Sequence, residues 1–190
     1  MIDAPRLLLR GWKPEDRDPL AAMNADPRVM RFFPSLLTED ESAAMLERNA
    51  AHFERYGFGL WAAELKGPGE LAGFIGLNVP QFQTHFTPCV EIGWRLAAHH
   101  WNKGLATEGA LAVLDFAFES LGLEEVVSFT VVDNLPSRRV MEKIGMARNP
   151  REDFDHPRLP EGHPLRRHVL YRTKASPRPA SSVSGRRGRV

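Results

Sequence analysis

Apolar positions along the chain fall into two patterns, short unbroken runs and stripes that return every three or four residues, and the two alternate. RLLLRGW (Arg6 to Trp12) predicts a strand, and PEDRDPLAAMNAD after it, with acids near its start, predicts a short helix. TEDESAAMLERNAAHFERYG predicts a longer helix, opened by a capping box of Thr38 and Glu41 and closed at Gly57. Ala44, Leu46, Ala50 and Phe53 supply its apolar face. FGLWAAEL (58–65) and LAGFIGLNV (71–79) predict the two strands of a hairpin that reverses at Gly67, Pro68 and Gly69. After the loop PQFQTHFTP, CVEIGWRL (89–96) predicts a third strand.

The next helix carries Leu111, Leu114, Phe118 and Leu121 on one stripe, with Ala110, Val113 and Ala117 beside them. EEVVSFTVV (124–132), rich in β-branched residues, predicts a buried strand. NLPSRRVMEKIG predicts a short helix with Asn134 near its N-cap, Pro136 in its first turn and Gly145 past its end. HVLYR (168–172) is a last strand. This order predicts a mixed α/β fold built on one sheet.

Composition narrows the reading. At 190 residues, 43% apolar, the chain has material for one core. A single domain is expected over residues 1–173, followed by a basic, flexible tail over 174–190. That tail holds Lys174, Arg178, Arg186, Arg187 and Arg189 and no acid. Without it the net charge of +1 turns negative, so the body is no general polyanion binder and a nucleic-acid partner is not expected. No apolar run approaches the roughly 18 residues of a membrane span, and the N-terminus does not read as a signal peptide. A cytoplasmic protein without a membrane partner is the expectation. The single cysteine, Cys89, excludes an internal disulfide and a thiolate metal site. The seven histidines include no His-Glu-x-x-His, and His99 and His100 would diverge on an extended backbone, so no metal is expected.

One stretch carries chemistry. In EIGWRLAAHHWNKGLATEG a strand ends in a loop of small residues that turns directly into a helix. Such a junction presents unpaired N–H groups at the positive end of the helix dipole, a seat for an anion. Gly104 and Ala106 leave the backbone approachable and Lys103 adds charge. A simple break in structure beside a solvated lysine fits the same residues equally well. The stretch is neither a Walker loop nor a G-x-G-x-x-G fingerprint, which leaves the diphosphate of another carrier.

Together, EIGWRL…WNKGLATEGA and NLPSRRVMEKIGM resemble the GNAT superfamily of N-acetyltransferases over roughly residues 5 to 173. The chain looks most similar to the ribosomal-protein alanine and serine N-terminal acetyltransferases and their small-amine relatives. Their loop reads Arg/Gln-x-x-Gly-x-Gly/Ala; residues 101–106 fill it, with Trp101 departing at the first position. The resemblance implies a mostly antiparallel mixed sheet with helices on both faces and two splayed parallel central strands, EIGWRL and VVSFTVV. It implies acetyl-CoA as co-substrate, its pantetheine paired with backbone near Trp94, Arg95 and Leu96. The diphosphate would lie on the amides of Asn102, Lys103, Gly104, Leu105, Ala106 and Thr107. Asn134 would touch the pantetheine arm, and Arg138 or Arg139 the outer phosphates.

Direct transfer in a ternary complex needs a base, a polarised carbonyl and a donor to the departing thiolate. Glu91 matches the base, amides near Ile92 or Gly93 the carbonyl site, and Ser137 the donor. Tyr56 and Tyr171 miss the slot where relatives keep a tyrosine. Phe32, Phe33, Trp61, Phe82 to Phe86, Asp155 and His156 border the implied acceptor pocket. The resemblance implies a primary amine as acceptor, of a small molecule or a protein N-terminus, and a homodimer is compatible with it. Each assignment has a structural counterpart: a helix cap for Asn134, a hydrogen-bonded buried acid for Glu91, an ordinary first-turn serine for Ser137, core packing for the aromatics, a turn for Asp155 and His156. A CoA-binding module without catalysis shares the loop and differs at Glu91, Ser137 and the acceptor cleft.

Overall fold

The computed structural model describes residues 1–175, so the expected basic tail of 174–190 lies outside the described residues from 176 on, while its first residue, Lys174, instead pairs in register with Glu125 at the end of the last strand. The chain runs β1 (Ile2–Asp3), β2 (Leu7–Arg10), α1 (Arg17–Ala25), α2 (Glu39–Tyr56), β3 (Leu60–Leu65), β4 (Leu71–Asn78) and β5 (Glu91–Leu96). It continues through α3 (Leu105–Asp115), β6 (Glu125–Val131), α4 (Leu135–Lys143), β7 (Ala147–Arg148), β8 (Phe154–Asp155) and β9 (Arg167–Lys174). The strands form one sheet in the order β1-β2-β3-β4-β5-β6-β9-β7, with β8 also on β9. Every pairing is antiparallel except β5 with β6.

Helices cover both faces, and two adjacent residues of β4 show how. Phe74 packs with Leu20 and Met23 of α1 and with Val29 in the turn that follows, while Ile75, pointing the other way, meets α3. On the α3 face, Leu7, Leu9, Ile75, Leu77, Ile92 and Val126 meet Ala110, Val113, Leu114 and Ala117. The helix sits close because Gly109 has no side chain: a Cβ there would lie 2.3 Å from Ile75 Cδ1 and 3.3 Å from Leu7 Cδ1. Gly109→Val is therefore expected to overpack the interface by about 1–3 kcal/mol. For a domain of this size that lowers the melting temperature by about 2–12 °C, readable by calorimetry.

That close approach also rotates the predicted stripe. Leu105, Gly109, Ala110, Val113, Leu114 and Ala117 are buried, whereas Leu111 is 42% exposed. A π turn at Phe116–Ser120 then ends the helix. Helix α2 corrects a second expectation. Its Thr38–Glu41 capping box is present, but Ala50 is exposed and the buried positions are Ser42 and Asn49. Asn49 Oδ1 accepts from Leu60 N at 2.8 Å and its Nδ2 donates to Leu60 O at 2.9 Å. A polar side chain thus finishes the edge of β3. Strands β1, β7 and β8 have two residues each, too short to show a period.

Candidate active site

The site begins where the sheet opens. β5 and β6 register only at Glu91↔Val127, with Val127 N donating to Val90 O at 2.9 Å; beyond that point they part. Ala97 N donates to Ala72 O, so alternate residues Glu91, Gly93 and Arg95 direct their backbone toward β4. Trp94 and Leu96 direct theirs toward the gap. Of the three residues expected along the pantetheine arm, Arg95 is therefore turned away in its backbone. Leu96 O already accepts from Trp101 Nε1 at 2.8 Å, so the tryptophan that departs from the family loop ties the loop to the strand end. The amides expected to hold the carbonyl oxygen are also engaged: Gly93 faces Gly76 and Ile92 faces Val127. Trp94 is the first residue of β5 whose amide faces the opening.

At the mouth of the gap, Asn102 (φ 59°) and Gly104 (φ 78°) turn the chain into α3. The first amide of this turn to be used within the helix is that of Glu108, which donates to Gly104 O at 3.0 Å. Among the described residues, the amides of Asn102, Lys103, Gly104, Leu105, Ala106 and Thr107 donate to no protein acceptor. Lys103 is exposed. Arg6, which sequence reasoning missed, braces the loop. Its N and Nε donate to Glu108 at 2.6 and 2.7 Å, and its Nη1 donates to Lys103 O at 2.9 Å. The one acid in the first turn of α3 is thereby compensated, and a second cation stands beside Gly104. No local signal joins positions about a hundred residues apart.

Glu91 is recessed at the point where the strands part. Burial pushes its carboxyl up to about 8, against a weak opposing hydrogen bond from Asn78 Nδ2 at 3.5 Å. Across the gap, Asn134 caps α4: its Oδ1 accepts from Ser137 N at 3.3 Å and its Nδ2 donates to Thr130 Oγ1 at 2.9 Å. Both ends of the amide are engaged, as its capping counterpart required. Arg138 turns inward, with Nη1 on Val132 O at 2.8 Å and Nε on the Tyr171 hydroxyl at 3.3 Å. Its Nε and Nη1 are thereby occupied. Ser137 is half-buried and its hydroxyl bonds no protein group among the described residues.

The acceptor candidates divide. Trp61 is 5% exposed between Phe53 and Phe116, each 5.4 Å away, on the α3 face; it is core. Phe82 and His156, 4.9 Å apart, join Phe129, Phe154 and His168 in an aromatic cluster, where burial foremost pulls His156 down to about 4. Val127 belongs to the same cluster, so it lies on the Glu91 face, but as packing. Asp155 is tied to Arg167 at 3.2 Å. Phe33 remains 38% exposed, and Phe32 lines a cleft of about 270 Å³ with Arg31, Val131, Leu165 and Arg167. Cys89 is half-buried, its thiol pushed up to about 11 foremost by burial. His99 and His100 do not diverge. A 3-10 turn at Ala98–His100 brings both Nε2 atoms to Glu70 Oε1, at 3.0 and 3.2 Å.

A mostly antiparallel sheet, opened beside its one parallel pair and faced there by the unpaired amides of a helix N-terminus, defines an acyltransferase fold. The chain belongs to the GNAT acetyltransferase family: the model of the acetyltransferase (GNAT) domain matches residues 6–147. It is 30% identical over 164 residues to an uncharacterized N-acetyltransferase, YnaD, of Bacillus subtilis (strain 168), covering 85% of this chain and 89% of that one. It is 34% identical over 144 residues to the FsC-acetyl coenzyme A-N(2)-transacetylase of Aspergillus fumigatus, covering 70% of this chain and 58% of that one. The crystal structure of a GNAT-family acetyltransferase from Bacillus anthracis matches with a TM-score of 0.75 at 29% identity, over 91% of this chain and 97% of that chain. Among the described residues, no helix is long and apolar enough to cross a membrane.

Proposed function

We propose that this chain moves the acetyl group of acetyl-CoA to a primary amine, of a small molecule or a protein N-terminus, by direct attack in a ternary complex. The observation that carries this reading is the run of unpartnered amides from Asn102 to Thr107 at the mouth of the β5–β6 gap. Six donors at a helix N-terminus, with Lys103 and Arg6 beside them, suit a diphosphate. The free backbone of Trp94 suits the amide-bearing arm that follows.

The chemistry then assigns roles. Glu91 takes the proton that an alkylammonium must lose before its nitrogen can attack. The Trp94 amide stabilises the carbonyl oxygen as it gains charge. As the carbon–sulfur bond breaks, the Ser137 hydroxyl hydrogen-bonds the departing thiolate. Arg138 and Asn134 support α4 and have no part in the transfer. The test is release of free thiol from acetyl-CoA across a panel of amines and N-terminal peptides. Acceptor-dependent release with a mass gain of one acetyl group is expected. Protection against heating by CoA, with no release on any acceptor, would make the chain a binding module instead.

A further inference from the structure

Arg95 is a charge without a counterion. Its side chain leaves β5 on the same face as Glu91, separated by Gly93, where an added Cβ would meet nothing within 4 Å. The floor between the two is open, and the strand rise spaces their Cα atoms by about 13 Å. Among the described residues no carboxylate lies within 4.0 Å of the guanidinium, whereas buried Arg10 has both Asp16 and Glu64. Only Nη1 is engaged, donating to Asn24 Oδ1 at 2.6 Å. Asn24 is itself anchored, donating from Nδ2 to Ser42 Oγ at 3.0 Å. Phe33 and Phe74 lie 4.1 and 5.2 Å from Cζ. Nε is sealed from solvent with no partner, and Nη2 has no protein partner among the described residues.

The free edge of Arg95 is thus the Nε/Nη2 fork, the side of a guanidinium that matches the two oxygens of a carboxylate. Its surroundings are costly to the charge: burial pulls Arg95 down to about 10. The nearby cleft is lined by Arg31, Arg167 and one acid, Asp133; Arg31 pairs with no acid among the described residues.

We infer that Arg95 receives a carboxylate carried by the acceptor, so that the amines this chain acetylates are amino acids, or peptides with an acidic residue close to the amine. This rests on the transferase reading above. The test compares β-alanine, 4-aminobutyrate and the dipeptide Ala-Glu with their uncharged amides at saturating acetyl-CoA. The acids should be preferred by about 10- to 100-fold in kcat/KM, mostly through KM, as a charge-assisted pair provides. Activity confined to the small acids or to the dipeptide identifies the source of the carboxylate. Arg95→Met should bring the acid-to-amide ratio near one and leave the melting temperature equal or higher, because a partnerless cation has gone. Arg95→Lys should keep part of the preference. Amides acetylated as well as acids, or a ratio that survives Arg95→Met, would overturn the inference. So would an Arg95→Met variant that loses acids and amides in equal proportion and melts several degrees lower, the mark of a structural role. If no amine is acetylated, the transferase reading fails by itself and binding decides the inference. An Arg95-dependent rise in melting temperature with N-acetyl-β-alanine, in the presence of CoA, supports it, and no rise ends it.

Discussion

Replacing Glu91 by glutamine is expected to lower kcat/KM for the amine by about 100- to 10,000-fold, the usual worth of a positioned base, while making the protein melt higher in alkaline buffer. Both effects come from one cause. Burial lifts the Glu91 carboxyl from 4.5 to about 8, the Asn78 hydrogen bond opposing it only weakly. The folded protein therefore holds a proton that the unfolded chain releases. The stability this lends is complete below about 4.5 and is lost as pH rises through about 8. Glutamine cannot ionise, so the melting temperature of the variant should gain on the wild type across that window and level off above it. Activity runs the other way. The wild-type kcat/KM should rise with pH through about 8 as the base becomes ionised. A Glu91→Gln variant that keeps both the rate and the inflection would give the base role to another group.

The parts of this protein that are legible in its sequence are those set by neighbours along the chain. The Thr38–Glu41 box, the Asn134 cap and the loop ahead of α3 each depend on residues within a few positions, and each is present in the structure. What the sequence hides is long-range pairing. Arg6 braces the loop through Glu108 and Lys103, and Arg138 is drawn inward by Val132 and Tyr171; neither partner is near in sequence. That aromatics border such pockets points Trp61 toward the acceptor, but strand alternation puts it on the opposite face from Glu91. Apolar periodicity predicts Leu111 and Ala50 as core. Two features displaced them that a hydrophobic pattern cannot register: a glycine that lowers α3 onto the sheet, and an asparagine that completes a strand edge. Arg95 belongs with these. As a strand residue it reads as backbone, and only the packing of Asn24, Phe33 and Phe74 around it reveals an unclaimed charge.

Gly104→Asp separates the anion seat from the fold. Gly104 has φ 78°, a left-handed conformation that Asp tolerates better than other residues with side chains, at a cost of about 1–2 kcal/mol. The one atom an added Cβ would meet within 4 Å is Arg6 Nη2 at 3.4 Å, an attractive neighbour for a carboxylate. The variant should therefore fold, melting no more than about 8 °C lower. Binding should fare far worse. The left-handed backbone of position 104 turns a side chain toward Arg6 rather than onto the amides of α3. A carboxylate there neutralises the second cation beside the loop and sets a negative charge next to the diphosphate. At about 1–4 kcal/mol for a like charge a few ångströms away, affinity for CoA should drop by about 10- to 1,000-fold, measured by titration calorimetry. Gly104→Asn has the same backbone demand without the charge, so it should lose distinctly less. Wild-type affinity in the Asp variant would mean that the diphosphate lies elsewhere. Equal losses in both variants would assign the effect to the altered loop backbone alone and remove electrostatics from the account of the loop.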